Sequence, residues 1–267
     1  MSQPLNNLTR MPVVFLGHGS PMTAIDENQF VSGFRNLSGS IPRPEAILCI
    51  SAHWNTRGTK VTAMKNPRTI HDFGGFPQAL YEVQYPAPGD PALAEKVRGL
   101  LTPVFVEPDE TWGLDHGAWS VIKHMYPDAD VPVVQLSIDY TRPAIYHYNL
   151  VQKLGALRDN GILIIGSGNI VHNLRLVDFQ NLNNDDYGFD WARDARDIIN
   201  QYLINGDHEA LIFYEKLPPS VQLAIPSPDH YLPLIYTLGL KQSGDEVSLF
   251  NDKLVGGSLS MTSVKLG

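Results

Sequence analysis

Five of the nine histidines in this 267-residue chain stand where side chains do chemistry. His18 closes the apolar run VVFLGH and precedes GSPM, His53 closes AILCISAH ahead of Trp54, and His172 follows LIIGSGNIV by a turn. In open α/β sheets, ligands bind beyond the carboxyl ends of the strands, so a polar residue directly after an apolar run faces a shared rim. His230, in SPDHYLPL, sits in a loop leading into a helix, and His116, in GLDHGAW, in a Gly-bracketed turn before one. One histidine at a strand end is usually structural, and the glycines of GHGS and GSGN could serve only tight turns. Neither reading explains why glycine and histidine coincide so often. Neutral imidazoles suit zinc, iron, nickel and copper, and three of them leave a divalent ion its full charge and open coordination positions. Such an ion holds an anionic substrate. A nearby unligated histidine is then the natural general base and acid, because its pKa lies near neutrality.

The remaining histidines read differently. His71, in HDFGGFP, either lines a pocket mouth or packs with Phe73, Phe76 and Pro77. His124, in a helical run, and His147 and His208, on exposed-looking helices, are assigned to structure or solvent. Arg68, Arg142, Tyr140 and Trp54 are candidates for facing the pocket.

The positioning elements follow from hydrophobic period and turn residues. Short β-branched runs at Pro12–Gly17, Ala46–Ala52, Lys60–Met64, Val131–Ser137 and Gly161–Ile165 read as buried strands. Helical spacing falls at Pro91–Leu101, Ala118–Tyr126, Pro143–Arg158, Tyr187–Leu203 and Asp207–Leu217, with Asp207 as an N-cap. The tail, Glu246–Phe250 and Leu254–Leu266, is extended again. Strand and helix alternate, which predicts a three-layer α/β/α fold: a mostly parallel or mixed sheet, helices on both faces, and an antiparallel hairpin at one edge. No linker or compositional break divides the chain, so residues 1–267 are expected to form one catalytic domain, with 1–10 a flexible N-terminal segment.

Composition removes several function classes. A net charge of −8 argues against a surface that tracks nucleic-acid phosphates, and points to a small-molecule substrate. The only cysteine, Cys49, lies in the apolar run AILCI, so there is neither an internal disulfide nor a thiolate cluster. A transition metal must rest on histidines and carboxylates. No uncharged run approaches the roughly 20 residues of a membrane span, and the N-terminus has no apolar stretch long enough for a signal peptide. The expected location is cytoplasmic, as a monomer or small homo-oligomer.

Six strings in order, GHGSPM at 17–22, SAHW at 51–54, HDFGGFP at 71–77, GLDHGAW at 113–119, GSGNIVHNL at 166–174 and SPDHYLPL at 227–234, resemble the DODA-type (4,5-DOPA) branch of the class III extradiol ring-cleaving dioxygenases. The match spans most of the chain. The resemblance implies that His18, His53 and His230 are the metal ligands, that His172 is the acid/base, and that His116 is a second pocket histidine contacting substrate or oxygen. It implies a catechol such as DOPA and O2 as substrates, with 4,5-cleavage to a seco-DOPA that cyclises to betalamic acid. Much of the wider superfamily has a carboxylate as third ligand where this chain has His230, and Asp229 beside it is then a supporting partner. An all-histidine site also suits zinc, which His172 could close into a tetrahedron as a fourth ligand. Zinc is expected in protein as purified and iron(II) in the form that turns over. The alternatives are a zinc-dependent hydrolase, for which no HExxH or GxSxG string is present, a non-catalytic binding protein of the same fold, and a chelatase, which shares GHGS alone.

Overall fold

The β-branched runs build the centre of a six-stranded sheet. A computed structural model describes residues 10–267, so the expectation for the N-terminal segment lies, Arg10 apart, outside the described residues. Strands β1 (Val13–Gly17), β2 (Ala46–Ser51), β3 (Val133–Gln135) and β4 (Ile162–Gly168) are mutually parallel, in the order β3-β2-β4-β1. Strands β5 (Val247–Phe250) and β6 (Ser263–Leu266) extend the sheet past β1 as β1-β6-β5, with both new pairings antiparallel. The mixed sheet and its antiparallel edge agree with the expectation from alternation.

Helices α1 (Gln29–Ser40), α2 (Pro91–Leu101), α3 (His116–Met125), α4 (Ala144–Val151), α5 (Asp190–Asn205) and α6 (Leu232–Gly239) flank the sheet. Successive side chains of a strand face opposite ways. Phe15, Leu48, Ile50, Val134 and Ile164 therefore share one core with α2, α4, α5 and α6. Val14, Leu16, Ile47, Cys49, Leu163 and Ile165 share the other with α1 and α3. Strands apolar on both faces need cover on both faces, and this produces the three layers.

Four details differ from the periodicity reading. The run near Lys60 forms a strand, Thr59–Thr62, but pairs in parallel with Val106–Asp109 in a separate two-stranded sheet. The helix expected from Ala118 begins at His116, because Asp115 caps it by accepting from Ala118 N–H. The Pro143–Arg158 helix tightens after Val151 into a 3-10 helix over Gln152–Asn160. Helix α1 stands outside the periodic segments altogether: its buried residues are only Val31, Phe34 and Leu37, among glycines and serines of low helix propensity. Asn28 starts it by accepting from Phe30 and Val31 N–H.

Arg158 ties the far end of the sheet together. Its side chain is 1% exposed and donates to Met11 O, Leu240 O and both oxygens of Asp245.

Candidate active site

Parallel register sets the height of the rim. Leu16 on β1 and Ser51 on β2 both lie level with Ser167 on the intervening β4. The chain leaving β1 and β2 thus emerges at one height on either side of β4, placing His18 and His53 with ring centroids 5.0 Å apart. His18 N–H donates to Gly168 O at 3.1 Å, continuing the ladder one residue past the strand. The loop carrying His230 crosses the end of β4, where Asn169 N–H donates to His230 O at 2.9 Å. Only glycine allows this crossing: a Cβ at Gly168 would lie 2.1 Å from His230 O. Gly117 does the same for α3, since a Cβ there would meet Ser51 Oγ at 2.4 Å and His53 Cδ2 at 2.8 Å.

The ring nitrogens that His18, His53 and His230 could offer a metal all lie within 4.8 Å of one another. Nε2 of His18 is 3.2 Å from Nε2 of His53. Two nitrogens bound to one ion at about 2.0–2.1 Å stand roughly 3.0–3.4 Å apart, so this spacing fits a shared divalent cation. The hydrogen bonds settle where the lone pairs point. Ser167 Oγ–H donates to Gly117 O, an acceptor only, so towards His18 Nδ1, 3.0 Å away, the serine oxygen must accept. His18 is then protonated at Nδ1 and presents a bare Nε2. His230 Nδ1–H donates to the Asp229 carboxylate and likewise leaves Nε2 free. A carboxylate on the outer nitrogen of a ligating histidine orients the ring and makes it a better donor.

A second layer lies beneath. Asp72 accepts from His116 N–H at 2.9 Å, and its other oxygen is 3.0 Å from His116 Nδ1 and 3.7 Å from His53 Nδ1. The approach to His116 Nδ1 does not make a directed hydrogen bond, so it is a close polar contact only. Asp115, wholly buried, accepts from Ser51 Oγ–H, Gln135 Nε2–H and Trp112 Nε1–H. Ser51 Oγ in turn accepts from His53 N–H at 3.2 Å. Burial, then the nearby charge of Asp72, pushes the Asp115 carboxyl above its usual range.

His172 completes the group. Its ring lies face to face with that of His230, and its N–H donates to Ala224 O at 2.8 Å. Burial, then the neighbouring His230, lowers its pKa to about 3. Burial and the surrounding imidazoles also hold His18 and His53 well below the ordinary value of 6.5. All three are neutral at physiological pH, the form in which imidazole binds a metal or accepts a proton. A cavity of about 440 Å³ opens onto His18, His53, His116, His172 and His230.

A family model described as the catalytic LigB subunit of aromatic ring-opening dioxygenase matches residues 11–258. The chain belongs to this family, the class III extradiol dioxygenases. It is 48% identical over 263 residues to "4,5-DOPA dioxygenase extradiol" of Escherichia coli (strain K12), covering 97% of this chain and 96% of that one. A protein of the same name from Beta vulgaris is 38% identical, covering 94% of each chain. A crystal structure of an uncharacterized Escherichia coli K12 protein superposes with a TM-score of 0.81 at 42% identity, covering 97% of this chain and 100% of the other. As a class III extradiol dioxygenase, the chain is a ring-cleaving enzyme with an aromatic substrate, O2 and a divalent metal. The hydrolase, chelatase and binding-protein alternatives fall away.

Within this dioxygenase, the other sequence candidates take other places. His71 packs in its loop, with Nε2 2.9 Å from Val83 O and its ring against Phe73, Tyr81 and Trp119. His124 is buried against Thr23 O, and His208 meets the Tyr148 hydroxyl. His147 is not on an exposed face: it is fully buried, with Nδ1 2.8 Å from the Tyr236 hydroxyl. Arg68, Arg142, Tyr140 and Trp54 do not line the cavity. Arg68 donates to Trp112 O, Arg142 faces Asp139, Tyr140 is 56% exposed, and Trp54 stacks on Trp112. Sequence reasoning missed Asp72, Asp115 and Ser167. For Asp115 a signal existed, an aspartate directly before a helix; for the other two, only the fold reveals a partner.

No helix among the described residues is long and apolar enough to cross a membrane.

Proposed function

We propose that this dioxygenase opens a catechol ring beside its two hydroxyls, inserting both atoms of O2 to give a yellow muconic semialdehyde, as one catalytic domain. DOPA, after which its relatives are called, is the reference substrate. Its 4,5-cleavage gives a seco-DOPA that cyclises to betalamic acid.

The observation that carries this reading is the convergence of three imidazoles, two with their lone pairs set by outer hydrogen bonds, at the floor of a cavity that also holds two further histidines. His18, His53 and His230 would hold the metal, zinc in protein as purified and iron(II) for turnover. A divalent ion there supplies charge to bind a deprotonated catechol and, as iron(II), electrons for dioxygen. His172 is assigned the proton transfers. It is neutral, lines the cavity, and stands outside the three-histidine group, which supports acid/base work over a fourth ligand position. His116, held by Asp72 and by its place at the start of α3, faces the substrate or dioxygen.

Anaerobic reconstitution with iron(II), followed by a catechol panel with oxygen uptake and yellow product recorded, tests the proposal. Uptake matched one to one by semialdehyde is expected. Catechol turnover with zinc alone and none with iron(II) would overturn it.

A further inference from the structure

The five histidines account for one part of the cavity surface, and the rest has a different chemistry. Leu174, Val177, Phe179 and Leu182, from the segment that follows His172, form one wall. Pro21, Met22, Phe76 and Leu259 contribute further apolar lining. Among the described residues that line the cavity, none is Lys, Arg, Asp or Glu, and Ser20 is the only polar side chain besides the imidazoles. Ser20 Oγ is already engaged, accepting from Met22 N–H. At about 440 Å³ the cavity has room beyond a single bound ring, in the range usual for small-molecule sites.

From this wall we infer that the preferred substrate is a catechol whose ring substituent is uncharged and apolar, and that Leu174 and Phe179 set this preference. The inference rests on the ring-opening reading above. It sets this chain's preference apart from DOPA, the reference catechol above, because the side chain of an amino-acid catechol carries an ammonium and a carboxylate. Neither charge finds a counter-ion among the lining residues, and water displaced by the wall is not replaced by a charged protein partner. An alkyl substituent instead buries apolar surface against the wall, at about fourfold in affinity per methylene (~0.8 kcal/mol). Leu174 is 61% exposed and Phe179 75% exposed in the free protein, so both present apolar surface that a substituent can cover.

The test has a binding arm and a turnover arm. Calorimetry on zinc-loaded protein compares 4-methylcatechol, 4-propylcatechol, 3,4-dihydroxyphenylacetate and DOPA; oxygen uptake on the iron(II) form compares their kcat/KM. In both arms 4-propylcatechol should exceed 4-methylcatechol by about fifteenfold, the two extra methylenes at that increment, and exceed DOPA by at least as much. Leu174→Arg, at an exposed position that tolerates the change, should lower the 4-propylcatechol value and raise that of 3,4-dihydroxyphenylacetate. DOPA binding as tightly as 4-propylcatechol, no heat with any catechol, or an unaltered ranking in Leu174→Arg, overturns the inference. Oxygen uptake absent for every catechol while the calorimetric ranking holds counts instead against the reaction and leaves the apolar wall standing.

Discussion

The imidazole of His172 lies flat on that of His230, with ring centroids 3.5 Å apart and planes 8° from parallel. A ring stacked on another touches it by its face, and the nitrogens of His172 lie outside the close set offered by His18, His53 and His230. That arrangement suits the two residues to the separate roles proposed for them.

Substitution should separate them in the laboratory. His18→Ala, His53→Ala and His230→Ala are expected to lose the metal, read by elemental analysis after dialysis. His172→Ala should keep at least partial occupancy while turnover falls by about 10²–10⁴-fold, the range for loss of a general acid or base. Normal turnover in His172→Ala would remove it from the mechanism.

The outer hydrogen bonds to the proposed ligands should show in metal affinity. Ser167→Ala frees His18 to adopt either tautomer, and Asp229→Asn removes the charge behind His230. Each change is expected to weaken metal binding by about 10–100-fold, measured by competition with a chromogenic chelator. Parental affinity in both variants would show that the imidazoles need no such support.

Asp115 links the cap of α3 to the β2 rim, and its removal should be felt at both ends. Asp115→Ala leaves Ser51, Gln135 and Trp112 donors without their acceptor and uncaps the helix that begins at His116. The expected loss is about 1–3 kcal/mol in chemical denaturation, together with a drop in kcat from displacement of His116. Unchanged stability would mean that water replaces the carboxylate at no cost.

The Arg158–Asp245 pair gives the fold a pH dependence remote from the metal. Burial alone would raise the Asp245 carboxyl, but hydrogen bonds from Arg158 and Gln242 N–H, with the charge of the guanidinium, hold it below its ordinary 3.8. A carboxyl with a lowered folded pKa stabilises above its unfolded pKa and ceases to do so as pH falls through the folded one. Asp245→Ala should therefore cost about 3–5 kcal/mol near neutrality, since it strands a buried Arg158. The gap to the parent should narrow as pH drops below about 4. Denaturant midpoints from pH 3 to 7 check this, and a gap independent of pH would rule the account out.

Much of the scaffold was visible because strands buried on both faces write themselves as unbroken apolar runs: VVFLG, AILCIS and ILII needed no partner to be recognised, though the last strand runs on through Gly168. Helix α1 was not, because three apolar residues among glycines and serines carry little signal and its start depends on one Asn28 side chain. The strand at Thr59–Thr62 was visible, but its partner was not, since local pattern says nothing about which neighbour completes a ladder. His147 shows the same limit, for a polar residue on a helix looks exposed until Tyr236 is found against it.

By itself the sequence determined which residue types were at hand and which side of the sheet they reached: five histidines placed just beyond apolar runs or in glycine-rich loops, one cysteine out of play, and an acidic chain suited to a small substrate. Only the tertiary structure decided which imidazoles meet, how Ser167 and Asp229 aim them, and that the cavity beside them is walled by carbon rather than charge. The reason is physical. Period and turn chemistry act over a few neighbouring residues, whereas His18 and His230 come together through strand register and the close approach allowed at Gly168.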